Sequence, residues 1–157
     1  MTSPQSIDDR EVIFVNERCR RDYAAMPEAV LESADQAIDA LQNGHRLPPK
    51  MFGSLSGNLA GIDEIRLPYD DDTYRVYLYQ GCPWVVMVMD AGIKKSNQGR
   101  GIPKWQAERL EQRLSVAKRY CAENEAELNR AYAVRMANRI EAFSIAGRVM
   151  SRKESRR

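Results

Sequence analysis

The apolar positions of this chain change period along its length, and each change marks an element. In Tyr74-Arg75-Val76-Tyr77-Leu78-Tyr79 the period is two. This predicts a strand with Arg75, Tyr77 and Tyr79 on one face and Tyr74, Val76 and Leu78 on the other. Glu64-Ile65-Arg66-Leu67 alternates in the same way, and Asp70-Asp71-Asp72 between the two segments predicts a turn. After a second turn at Gln80-Gly81-Cys82-Pro83, the run from Trp84 to Met89 is almost continuously apolar, as a central buried strand would be. Three strands in such close succession predict an antiparallel meander.

Upstream, Val12-Ile13-Phe14-Val15 reads as a first strand and Cys19 to Tyr23 as the start of a short helix. From Pro27 to Leu41 the period lengthens to that of a helix, with Val30, Ala34, Ala37, Ile38 and Leu41 on one side. Pro27 suits its first turn and Asn43-Gly44 its end. His45 to Met51 holds two prolines and predicts an extended linker. Downstream, Gly92 to Ile102 reads as a polar loop, and Pro103 opens a helix running to about Tyr120 with Ala107, Leu110, Leu114 and Ala117 inward. A last helix is expected from Asn124 to about Val149. It carries a narrow stripe of Leu128, Tyr132, Met136, Ile140 and Phe143 that suits packing on its own domain or on a second copy. The order β-α-α-β-β-β-α plus one helix predicts an α+β fold: a small antiparallel sheet flanked by helices, with an additional C-terminal helix. The expected organisation is one domain over 10–122, the added helix over 123–150 and a basic, disordered tail over 151–157.

Composition narrows the function. No apolar run approaches the ~20 residues that span a bilayer. The first residues lack a basic segment followed by an apolar one, so no signal peptide is read. Three cysteines without a CxxC pair suit a reduced, cytoplasmic protein with neither a disulfide framework nor a zinc site. A single histidine, His45, excludes a multi-histidine metal site. The net charge of +2 is unevenly spread. The first 49 residues hold nine acids against five arginines, whereas Ala91 to Tyr120 holds eight cations against two acids. Such a stripe is either a polyanion site or a solvated helix face.

Several segments, taken in order, carry a resemblance. They are Leu41-Gln42-Asn43-Gly44, Lys50, Leu55-Ser56-Gly57, and the strand Gly61-Ile62-Asp63-Glu64-Ile65-Arg66. Tyr74-Arg75-Val76 follows, then Lys94-Lys95-Ser96 with Gly99 and Ile102-Pro103, and Arg113-Leu114. From Val12 to Tyr120 the chain resembles the HigB-like, phage-associated branch of the RelE/ParE toxin superfamily. Where that branch often has His-x-Phe before its paired lysines, this chain has Asp90-Ala91-Gly92-Ile93, which removes an aromatic and adds a carboxylate. The helix after Asn124 is additional to the usual toxin domain.

The resemblance implies a ribosome-dependent mRNA endonuclease that needs no metal and no cofactor, and that is neutralised by a cognate antitoxin, typically a helix-turn-helix protein. Its partners would be mRNA and the ribosome, with no membrane, and the C-terminal stripe admits a homodimer. Arg66, Arg75, Lys94 and Lys95 are the implied catalytic set. Arginine suits phosphate because its planar fork donates two parallel bonds, and a desolvated lysine among cations can accept a proton. Lys50, Tyr77, Tyr79 and Lys104 are the implied RNA-binding set, the tyrosines by base stacking. A structural reading stands beside this one, with Arg66 and Arg75 paired to Glu64 or to Asp70–Asp72 and Asp90 as a strand-end residue. A non-catalytic binding module, either a gyrase inhibitor or a nucleic-acid or protein adaptor, is the alternative function.

Overall fold

The computed structural model describes residues 10–94 and 101–155, with side chains described up to residue 141. Five strands form one sheet: β1 (Glu11–Phe14), β2 (Phe52–Ser54), β3 (Ile62–Tyr69), β4 (Asp72–Tyr79) and β5 (Val85–Lys94), in spatial order β1-β5-β4-β3-β2. The expected meander is present, since β3 pairs antiparallel with β4 and β4 with β5. The sheet as a whole is mixed, because β1 joins β5 in parallel. The chain from β1 passes through α1 (Glu17–Ala24) and α2 (Glu28–Gln42) before it returns, and such a helical crossover permits parallel pairing. β2 has only three residues, one of them glycine, too few to show a period.

The two faces of the sheet bury different helices. Val30, Ala34, Ala37, Ile38 and Leu41 of α2 pack with Cys19 and Tyr23 of α1 against Ile65, Leu67, Val76, Leu78, Val86 and Val88. On the other face, Leu110, Leu114 and Ala117 of α3 (Lys104–Glu123) pack against Ile62, Tyr77, Met87 and Met89. Burying each large aliphatic side chain contributes about 1.5–3 kcal/mol. The two layers together hold the sheet between helices.

A third, smaller cluster of Cys82, Val85 and Leu128 anchors the start of α4 (Glu125–Ser155). A single residue, Asn124, separates α3 from α4, its backbone and side-chain nitrogens both donating to Tyr120 O. Beyond Leu128, α4 leaves the core: Tyr132 and Met136 are half-buried, and Ile140 is exposed. The helix continues to Ser155, through most of the stretch expected as a disordered tail. No proline interrupts it, and its late lysine and arginines suit the negative end of a helix.

Candidate functional site

The site begins with a hairpin turn. Tyr69 pairs with Asp72, so β3 and β4 are joined by two residues, and Asp70 takes the left-handed φ of 53° that such tight turns favour. This turn fixes the register, setting Arg66 directly opposite Arg75 and Glu64 opposite Tyr77. All four lie on the face toward α3. A slip of one residue would send Arg75 to the other face.

Two cations directly opposed across a ladder repel one another. Glu64 relieves this. Its buried carboxylate accepts from Arg66 Nε at 2.9 Å and from Arg75 NH1 at 3.1 Å. Arg66 is further used by the chain: its NH1 donates to the carbonyls of Pro49 and Lys50 at 3.2 Å each, and its NH2 lies against Gly53. Arg66 therefore clamps the linker and β2 onto β3. Arg75 is less committed. Its side chain bonds Glu64 and Tyr77 but no backbone carbonyl, and its Nε has no partner among the described residues.

β5 completes the site through an irregularity. Leu78 pairs with Val88, but Tyr77 pairs with Asp90, so one extra residue bulges from β5. Below the bulge Met87 faces α3. Above it Asp90, Gly92 and Lys94 do, since they stand opposite Tyr77, Arg75 and Thr73. The bulge thus turns Lys94 onto the face of Arg75. Gly92, opposite Arg75, leaves open space, for a Cβ there would meet nothing within 4 Å among the described residues. The Lys94 ammonium is held below its usual pKa, first by burial and then by Arg75, with Glu64 opposing. A cation that gives up its proton more readily, beside a partly free guanidinium, can take a proton next to a bound phosphate.

Asp90 belongs to a different arrangement. It is fully buried in mid-strand, not at a strand end. Its Oδ2 accepts from Arg109 NH2 at 2.8 Å and Nε at 3.2 Å, and Arg113 NH1 lies 3.3 Å from its Oδ1. Arg113 also donates to Met89 O at 2.8 Å. These bonds tie α3 to the sheet. The sequence signal for them is an acid inside an apolar strand, which requires a partner, and two arginines at i,i+4 beside the apolar stripe of α3.

Of the residues expected in the site, Arg66, Arg75 and Lys94 share one sheet face, with Arg66 as clamp. Lys95 lies outside the described residues. The stacking role expected of Tyr77 is corrected. The ring is 2% exposed beneath α3, and its hydroxyl is pushed up to about 12, by burial first and then by Glu64, with Arg75 opposing. Tyr79 is corrected as well. It sits at the far end of β4, packed beside Cys82, Trp84 and Tyr120, because four residues of strand carry it away from Arg75. Lys50 is exposed in the linker that Arg66 clamps, and Lys104 is exposed at the start of α3, 4.0 Å from Glu108. Among the described residues, no group of three or more His, Cys, Asp or Glu is placed to hold a metal ion, and no helix is long and apolar enough to cross a membrane.

Comparison with known proteins gives two findings. The model of the family described as phage derived protein Gp49-like matches residues 21–115. A chain in the crystal structure of the toxin–antitoxin complex RelBE2 from Mycobacterium tuberculosis is similar over 55% of this chain and 99% of its own length, at 21% identity and a TM-score of 0.40. No curated protein matches the chain.

Proposed function

As the chain belongs to the phage-derived, Gp49-like family, we propose that it is the toxin of a toxin–antitoxin pair, of HigB-like type, and that it cleaves mRNA on the ribosome without a metal. The single observation that carries this reading is the convergence of Arg75 and Lys94 on one open patch of sheet beside Gly92, with Arg75 oriented by Glu64. Arg75 binds the scissile phosphate and stabilises the charge that grows on its oxygens. Lys94, in its neutral form, takes the proton of the ribose 2′-OH. The 2′-oxygen then attacks the adjacent phosphorus, the bond from phosphorus to the 5′-oxygen breaks, and the leaving oxygen is protonated by solvent or a neighbouring acid. The products are a 2′,3′-cyclic phosphate and a 5′-hydroxyl. Lys50 and Lys104 hold flanking phosphates.

Expression of the protein in growing cells tests this. Growth arrest with broken messages, both relieved by Arg75→Ala in a folded protein, is the expected outcome. Normal growth with intact messages would sink the reading. One observation favours a second reading, that of a non-catalytic binding module such as a gyrase inhibitor or an adaptor: Glu64 already occupies both Arg66 and Arg75. Growth arrest with intact messages, unchanged by Arg75→Ala, is its signature. An antitoxin partner and a homodimer through α4 complete the proposal. Co-purification with the product of the neighbouring reading frame checks the first, and sedimentation of the purified chain checks the second.

A further inference from the structure

Trp105, the second residue of α3, is 58% exposed. Leaving most of an indole in water forgoes the burial that usually stabilises this side chain. Yet the ring is not loosely held. Arg109, one helical turn on, places its guanidinium 4.9 Å from the ring centroid. That guanidinium is itself fixed, because it donates through both Nε and NH2 to the fully buried Asp90. The core therefore holds a flat cation in place, and the cation holds an indole whose remaining surface faces solvent.

The surroundings decide what such a surface suits. Its neighbours in the first turns of α3 are Lys104, Gln106, Glu108 and Arg109, all polar or charged, with the half-buried Ile102 and Pro103 ahead of the helix. An apolar protein partner would meet charged and polar groups here along α3, whose other exposed large hydrophobic among the described residues is Val116, about three turns away. A nucleobase requires only a flat face and a cation nearby. The location agrees. Asp90 is the diagonal neighbour of Arg75 across the β4–β5 ladder, a backbone separation of about 7–8 Å. Arg109 and Asp90 thus link the indole to the strand pair that carries Arg75.

We propose that Trp105, backed by Arg109, is a stacking platform for one base of a single-stranded RNA whose backbone lies on Arg75 and Lys94. This rests on the RNA-directed reading above and adds the group that grips the base. Stacking reads no base edge, so the platform accepts any base. It supplies the aromatic contact expected of Tyr77 and Tyr79, which the fold places elsewhere.

The test uses the full chain with Trp84→Phe, which leaves Trp105 as its one indole. A short single-stranded RNA and an abasic oligomer of equal charge are titrated in turn against Trp105 fluorescence. The expected result is strong quenching by the RNA and little by the abasic oligomer. Trp105→Ala should weaken RNA binding by roughly 5- to 100-fold and Trp105→Phe much less. Equal quenching by both oligomers would overturn the proposal. So would RNA binding that is unchanged in Trp105→Ala but weakened by Arg75→Ala, an outcome that leaves the RNA-directed reading standing. If the chain binds no RNA at all, that reading fails and the platform with it.

Discussion

Two carboxylates on the same sheet face each hold two arginines, and they differ chiefly in that one arginine of the Asp90 pair is buried whereas both of the Glu64 pair reach the surface. Asp90 is sealed beneath α3 with Arg113, whose side chain is 7% exposed, while its second partner, Arg109, reaches the surface at 22%. Glu64 sits higher on the sheet, with Arg66 and Arg75 at 33% and 22% side-chain exposure. The same inventory gives a structural lock in one place and a candidate binding site in the other. In the Asp90 cluster, the carboxylate and Arg113 would each be stranded without a partner. In the open one, water can solvate whichever guanidinium is released, so the arginine can exchange a carboxylate for a phosphate.

The largest effect is expected at the Asp90 lock. Asp90→Ala leaves Arg113 charged and buried without its carboxylate, and should cost about 3–5 kcal/mol of stability in denaturant unfolding. Glu64→Ala should cost clearly less, because its arginines reach water. Equal losses would mean that both clusters are structural locks.

The next effect is on catalysis. Lys94→Met should lower cleavage about 100-fold, near the lower end for a general base, with little change in unfolding. The sign of the pH dependence follows from the lowered pKa of Lys94. The neutral amine is the active form, so the rate should rise with pH and level off below the ordinary lysine value of 10.5. A rate that falls with rising pH would exclude Lys94 as the base.

Between the two clusters lies Tyr77, whose buried hydroxyl gives a smaller effect of order 2 kcal/mol. Its pKa is raised from 10 to about 12. The stability it contributes is complete below pH 10 and is lost as pH rises through about 12. Tyr77→Phe should therefore flatten alkaline unfolding in that window. An unchanged alkaline transition would mean that the phenol is solvated.

The smallest effect probes the clamp. A Cβ at Gly53 would come within 2.3 Å of Arg66 NH2 and push the guanidinium aside. The group displaced is the far end of a flexible side chain, so Gly53→Ala should cost only about 1 kcal/mol. Cleavage should persist if Arg66 is a clamp. A loss of cleavage as deep as that from Lys94→Met would place Arg66 among the catalytic groups.

What the residues revealed in advance follows from where the information resides. The stripe from Val30 to Leu41 and the alternation from Tyr74 to Tyr79 are properties of consecutive residues, and both elements were legible. The bulge opposite Tyr77 is a property of strand pairing, and no pattern within Val85–Lys94 shows it. Because the bulge sets the face of Lys94, that half of the site was not readable from the strand alone. Tyr77 shares its face with Arg75, as its alternation implies, but only the packing of α3 shows that this face is covered at Tyr77 and open at Arg75. Asp90 and its arginines lie 19 and 23 residues apart in the chain, and tertiary packing alone brings them together.

The central claim is that Arg75 on its open patch acts on a phosphodiester. Its most direct test is primer extension on a message translated in a purified system, with the ends of the fragments analysed chemically. The account predicts discrete breaks with 2′,3′-cyclic phosphate or 3′-phosphate ends for the wild-type protein, and a loss of roughly 100- to 1,000-fold for Arg75→Ala with unchanged unfolding. Intact messages with the wild-type protein, or equal cleavage by Arg75→Ala, would contradict it.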